Sequence, residues 1–216
     1  QVAPRAGDVR SVVALVDRDG VGDAAGAGEV DVLDLLEEIN SSHYMWVELG
    51  LQTIHASTSQ AMNIGYSLDV YDRAVEELLS RGIRVVTHLI LGLPGETEDM
   101  MLDSVRYVCS SNIFGIKLHL MNIVRTSRLG EQMPDYVPFT SIEEYVDLVI
   151  RCLELIPPDI TIHRLTGDVP RRLLISPEWS YRKRTILNMI NSELARRDTF
   201  QGKYAAQWPD QSRSAR

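Results

Sequence analysis

Met45–Thr53 reads MWVELGLQT and Thr87–Thr97 reads THLILGLPGET. Each is an apolar strand that runs straight into a polar or glycine-rich turn. Parallel sheets collect ligands at the carboxyl ends of their strands, so two such ends mark a candidate site. Working outward, Val32, Leu33, Leu35, Leu36 and Ile39 recur at helical spacing through Asn40. Leu68–Arg81 is a second amphipathic helix, closed by Gly82. Ile83–Leu91 is nearly all apolar, as in a strand covered on both faces. Thr97 caps a helix predicted to reach Ser110, with Glu98 and Asp99 at its positive end. Phe114–Met121 is a third buried strand. Ser141 and Glu144 are spaced as a capping box for a helix to Leu155, which Pro157-Pro158 stops. Ile160–Arg164 is a short strand and Tyr181–Arg197 a last helix. Ser11–Val16 has the makings of a further strand. Asp17–Gly28, with Val21 as its one large apolar residue, reads as a loop, and the tail after Phe200 as frayed. Helix and strand therefore alternate four times, the pattern of parallel βα units.

The chain has 216 residues, enough for one domain and a tail. Its net charge of −8 offers no footprint for non-specific nucleic-acid binding. Against that background Arg171, Arg172, Arg182, Lys183, Arg184, Arg196 and Arg197 gather near the C-terminus. The two cysteines, Cys109 and Cys152, lie in amphipathic helical stretches and read as buried thiols of a reducing compartment. Two thiols so placed cannot hold a 4Fe–4S cluster, which takes at least three thiolates. No apolar run approaches the ~20 residues of a membrane span, and the first residues lack the apolar core of a secretion signal. The expected location is cytoplasmic.

Three groups of residues invite chemistry. Glu48, Gly50 and Gln52 share one strand face. A carboxylate inside an apolar strand faces a barrel lumen or ligand pocket, or else pairs with a neighbouring Arg or Lys, because burying it alone costs several kcal/mol. Gly92-Leu93-Pro94-Gly95-Glu96 permits close backbone approach to a flat ligand, and equally serves as a plain turn. Lys117 and His119 project from the face opposite Ile116, Leu118 and Leu120. His119 reads either as a satisfied core histidine or as a lumen residue, and Lys117 is a natural partner for Glu48. His55, Thr58 and Ser59 do not make a hydrolase: no G-x-S-x-G occurs. The five histidines (43, 55, 88, 119 and 163) show no metal-ligand spacing.

The order ELGLQT, NIGYSLDVYDRAVEELLSRGI, HLILGLPGET, GIKLHLMNI and, at Ile162–Trp179, IHRLTGDVPRRLLISPEW resembles the later part of a YhcC-type radical S-adenosylmethionine protein. That family is related to the Elongator catalytic subunit and to oxygen-independent coproporphyrinogen oxidase. The resemblance covers roughly residues 29 to 202. It implies an α/β fold, a partial (βα)6 barrel made of its later βα units with a C-terminal helical extension. The expected divisions are an irregular 1–28, the partial barrel at 29–165, the family extension at 166–202 and a frayed 203–216.

The resemblance further implies S-adenosylmethionine and a 4Fe–4S cluster as cofactors of the full-length family, used to generate a 5′-deoxyadenosyl radical. It assigns Glu48, Gln52, His88, Ile90, Gly92 and Asn122 to the cofactor pocket. Gln52 and His88 lie near the ribose, Ile90 and Gly92 on the adenine, Asn122 at its edge and Glu48 in the lumen. It names no catalytic residue and no metal ligand. It implies tRNA modification, with the C-terminal arginines meeting phosphates. The CxxxCxxC loop of the family is absent from the sequence, and Ile64 stands where relatives carry an arginine. The expectation is a fragment that is inactive alone. The alternatives are a non-catalytic module binding an adenosine ligand or a partner, and a non-functional gene fragment whose open sheet edge drives self-association.

Overall fold

The computed structural model describes residues 9–14 and 31–205. The loop expected at 17–28 and the tail beyond 205 lie outside the described residues. Strands β1 (Val9–Ala14), β2 (Tyr44–Gln52), β3 (Arg84–Leu91), β4 (Gly115–Leu120) and β6 (Thr161–Arg164) form one parallel sheet in the order β1-β2-β3-β4-β6. Helices α1 (Val32–Ser42), α3 (Leu68–Ser80), α4 (Glu98–Cys109) and α6 (Ile142–Leu155) make the crossovers. The partial βα barrel expected from the sequence is the fold observed, and α7 (Lys183–Arg196) supplies the helical C-terminal part.

The helices end where their chemistry says. Thr97 accepts a hydrogen bond from the Met100 amide and starts α4. Gly82, at φ +69°, follows α3 in the left-handed region. The capping box at α6 is displaced by one residue. Ser141 accepts from the Glu144 amide, but the Glu144 carboxylate accepts from the amide and hydroxyl of Thr140.

Strand alternation gives the sheet two different faces. Met45, Val47, Leu49, Val85, Leu89, Ile116 and Leu118 point into the helices and are all but fully buried. Trp46, Glu48, Gly50, His88, Lys117 and His119 take the other face. The helices thus cover one side, and the polar row looks toward what would be the barrel interior.

Three short elements were not legible in sequence: α2 (Ala56–Ala61), α5 (Arg128–Gln132), and an antiparallel ribbon of β5 (Ile123–Val124) with β7 (Leu174–Ser176). Residues 178–181 form a 3-10 turn ahead of α7. Residues 201–205 are not frayed. The Gly202 and Tyr204 amides donate to Leu153 and Glu154 carbonyls, and the Gln201 carboxamide donates to Pro157 and Ile160. A polar sequence without helical period hides this, because the partners are backbone carbonyls.

Candidate functional site

Glu48 is the centre of the polar face. It is 4% exposed, yet both of its oxygens accept hydrogen bonds. Trp46 Nε1 donates to Oε1 at 3.1 Å, His88 Nε2 donates to Oε2 at 2.9 Å, and the Lys117 ammonium donates to the same Oε2. Both alternatives weighed for Glu48 therefore hold together: it faces the lumen side and it is paired. Burial by itself would raise its pKa. Hydrogen bonds from Lys117 and Trp46, with the charges of Lys117 and His88, outweigh that and hold the carboxyl below its ordinary range.

This pairing has a consequence for His88. Burial, assisted by the charge of Lys117, lowers its pKa, so the ring is neutral. A carboxylate only accepts, so the proton sits on Nε2. Nδ1 is left as an acceptor. Glu48 thus sets the tautomer of a ring that borders the neighbouring cavity.

That cavity has a volume of about 360 Å³ and opens at the carboxyl ends of β2, β3 and β4. Gln52, His88, Ile90, His119 and Asn122 line it, with Arg164, Gly167 and Asp168 from the segment after β6. Four of the six residues expected in the pocket are therefore brought together. Gln52 reaches it through an unusual backbone: φ is +69°, and the register with β3 shifts between Gly50 and Gln52. Left-handed geometry costs a non-glycine residue of order 1 kcal/mol, and such strain clusters at ligand sites. A Cβ on Gly50 would stand 2.5 Å from Gln52 Nε2, so the glycine makes the space that the folded-back carboxamide occupies. Gly50→Ala is expected to displace Gln52 while changing stability by less than ~1 kcal/mol, since only a flexible side-chain end must move. Paired denaturant unfolding and ligand-binding measurements check this.

Two polar atoms at the cavity lack partners among the described residues. Asn122 Nδ2 donates to the Leu120 carbonyl at 2.9 Å, but its Oδ1 is buried and unpaired. His119 Nε2 is likewise buried and unpaired, and burial first, then the charges around it, push the ring down to about 4. His119 is thus not a satisfied core histidine. An orphaned buried polar group costs ~1–3 kcal/mol, a cost that a ligand's hydrogen bond removes.

The other two expected residues stand elsewhere. Glu48 lies beneath the cavity and acts on it through His88. Gly92 does not line it. Its amide approaches Met101 Sδ at 3.0 Å, its carbonyl accepts from the Tyr136 hydroxyl at 3.0 Å, and a Cβ there would meet Phe139 Cε2 at 2.6 Å. The segment 136–139 therefore occupies the approach that the glycine was expected to leave for an adenine. The GLPGET turn contributes differently: Glu96 accepts from the Thr53 hydroxyl and ties together the two strand-end turns. The His55 ring hydrogen-bonds the Met100 carbonyl at 2.8 Å and is a structural tie.

Sequence reasoning missed Arg164, Gly167 and Asp168 as lining residues of the cavity. Tyr66 Oη lies 3.8 Å from where a Gly50 Cβ would stand. A Cβ on Gly167 would meet Asn122 Nδ2 at 2.2 Å, so backbone approaches carboxamide there. The T-G-D run after a strand was the available signal for Gly167.

Comparison with known proteins follows the same lines. The Radical SAM superfamily model matches residues 21–108 and the Radical_SAM C-terminal domain model residues 113–196. The uncharacterized protein YtqA of Bacillus subtilis is 40% identical over 205 residues, 94% of this chain and 64% of that protein. Protein YhcC of Escherichia coli is 34% identical over 150 residues, 68% of this chain and 48% of that protein. The chain thus spans less than two thirds of the length of either relative. A more distant match is the tRNA uridine(34) acetyltransferase of Methanocaldococcus jannaschii, 22% identical over 134 residues, 60% of this chain and 25% of that protein. Among solved structures, Elp3 of Methanocaldococcus infernus superposes with a TM-score of 0.64 at 16% identity, covering 83% of this chain and 49% of that one. At that identity the superposition speaks for the fold alone. The family models, the identity to YhcC and YtqA, and the shared βα architecture lead to one conclusion: the chain belongs to the radical SAM family, as a YhcC-type member related to the Elongator catalytic subunit.

Proposed function

We propose that the cavity is the adenosyl wall of an S-adenosylmethionine pocket, in a protein that modifies tRNA. The observation that carries this is the convergence of Gln52, His88, Ile90 and Asn122 on one cavity. Radical SAM proteins use S-adenosylmethionine with a 4Fe–4S cluster, and the bound pair supplies one-electron, hydrogen-abstracting chemistry. The residues here fit the nucleoside part. Asn122 Oδ1 is an unpaired acceptor suited to an exocyclic amine. His88 Nδ1 is an acceptor suited to a ribose hydroxyl, Gln52 offers donors and an acceptor, and Ile90 gives an apolar surface for a flat base.

The residues do not fit the cluster. Cys109 and Cys152 lie on α4 and α6, on the helix side of the sheet, and burial pushes both thiols up to about 12. Protonated core thiols do not ligate iron. Among the described residues no three or more His, Cys, Asp or Glu side chains are grouped as metal ligands. The radical-generating step needs thiolates that this sequence does not supply, so the chain's own part is to bind and orient the nucleoside.

Equilibrium dialysis with S-adenosylmethionine tests the reading. The wild-type chain is expected to retain the ligand. Gln52→Ala and Asn122→Ala should each weaken it about fivefold, the worth of one hydrogen bond of ~1 kcal/mol. No retention by the wild type overturns it. After anaerobic iron–sulfur reconstitution the chain alone is expected to form no 5′-deoxyadenosine, and sustained turnover would sink that part.

The tRNA assignment is supported by the M. jannaschii relative, whose name specifies tRNA uridine(34), and by the arginines of the C-terminal part. A cytoplasmic location belongs to the same proposal, supported by two free thiols. Among the described residues, no helix is long and apolar enough to cross a membrane.

A further inference from the structure

A second cleft lies next to the cavity. It has a volume of about 450 Å³ and is bordered by Arg125, Arg171 and Arg182, with Trp179, Tyr181 and Glu178. Several arginines elsewhere hold carboxylates: Arg81 pairs with Asp34 and Glu37, Arg151 with Glu98, Arg197 with Asp147. Among the described residues no carboxylate is within ion-pair distance of Arg125, Arg171 or Arg182. Three guanidinium groups against the single carboxylate of Glu178 give the cleft two uncompensated positive charges, in a chain whose net charge is −8.

The cleft also has a stacking surface. The Arg171 guanidinium lies 4.4 Å from the centroid of the Tyr181 ring, and Arg182 lies 5.7 Å from the same ring. Trp179 contributes an indole whose N–H is buried and takes no acceptor among the described residues. Guanidinium planes layered on aromatic rings are surfaces on which unstacked bases settle, while arginine forks bind phosphate oxygens.

We infer that this cleft binds a single-stranded stretch of RNA, Arg125 and Arg182 holding phosphates and the Arg171–Tyr181 layer a base, beside the cavity that holds the nucleoside cofactor. The choice of RNA rests on the tRNA reading above; the charge and the stacking layer stand independently of it. Connectivity makes the two sites neighbours. Asn122 of the cavity and Arg125 of the cleft are three residues apart, and Val169 and Arg171 are two apart. Even fully extended, these separations are no more than ~11 Å and ~7 Å. One strand can therefore rest its backbone in the cleft and extend a nucleotide toward the cavity.

Fluorescence anisotropy with a fluorescein-labelled single-stranded oligoribonucleotide, across a salt series, tests this on the whole chain. The wild type is expected to bind. Arg125→Gln/Arg182→Gln should raise Kd at least about tenfold and reduce the salt slope by about 1.4. Tyr181→Ala should raise Kd about fivefold or more. Arg73→Gln, an exposed arginine of α3, should change neither Kd nor slope. Absence of binding by the wild type, or an unchanged Kd and slope in the double variant, overturns the inference. So does capture by phosphatidylserine vesicles in a chain that ignores the oligonucleotide. The S-adenosylmethionine dialysis separates this from the cofactor reading: Gln52→Ala should leave RNA binding intact, and the double arginine variant should leave cofactor retention intact. Oligonucleotide binding that depends on the arginines, in a chain that retains no cofactor, upholds the cleft and removes only the cofactor assignment.

Discussion

Glu48→Leu is expected to lower the unfolding free energy by about 3 kcal/mol, read as a shift of the urea midpoint at constant slope. The side chain of Glu48 is 5% exposed and that of its partner Lys117 is 16% exposed. Removing the carboxylate leaves an ammonium in a partly dry interior with no counter-charge. It also leaves His88 Nε2–H and Trp46 Nε1–H without their acceptor. Lys117→Met should cost a similar amount by the converse route, stranding the carboxylate. The double variant Glu48→Leu/Lys117→Met should lose less than the two single losses summed, because the stranded charge is gone while the His88 and Trp46 N–H groups stay without their acceptor. Additive single-variant losses would show that the pair is not coupled. The same substitution frees the His88 tautomer, so cofactor retention should fall with Glu48→Leu even where the chain remains folded.

Acidification should destabilise the chain well above the range where ordinary carboxylates titrate. His119 is pushed down to about 4, and burial lowers His88 and His163 as well. A histidine ordinarily titrates near 6.5. Between that value and about 4 the unfolded chain binds protons that the folded chain refuses, so stability falls as pH falls through this window. The stability these neutral rings contribute is fully present above ~6.5. Glu48, held below its ordinary range, adds a second loss at lower pH, as acid protonates the carboxylate in the folded state. Thermal unfolding at pH 7.5 and pH 5 should show a midpoint lower by at least about 3 °C at the acid end. His119→Asn should flatten that difference. An unchanged slope in the variant would mean that His119 is protonated without penalty, and that its surroundings are wetter than the geometry indicates.

Much of this molecule is written in local pattern. The continuous apolar run Ile83–Leu91, the stripes at Val32–Ile39 and Leu68–Arg81, and the Thr97 and Ser141 caps are short-range signals. They suffice for four βα units and hence for a parallel sheet. The strand alternation at Glu48, Lys117 and His119 likewise places a polar row on one face before any contact is known. The family follows from the order of several such segments, which no single segment carries.

What local pattern leaves open depends on contacts between residues distant in sequence. Lys117 is a plausible partner for Glu48 on paper, but the joint bonding of Lys117, His88 and Trp46 to one carboxylate requires the register of three strands. Gly92 and Gly50 look alike in sequence, each small and at a strand end. Phe139 fills the space beside one, while the folded-back Gln52 fills the space beside the other. The orphaned atoms of Asn122 and His119, and the uncompensated charge of the arginine cleft, are likewise failures to find a partner, and a missing partner can be recognised only when every neighbour is in place. The sequence by itself thus determined the βα architecture, the family and the two-faced sheet, because those depend on period and composition. Only the tertiary structure decided which polar groups are satisfied and which are left for a ligand, because hydrogen-bond pairing depends on distances across the fold.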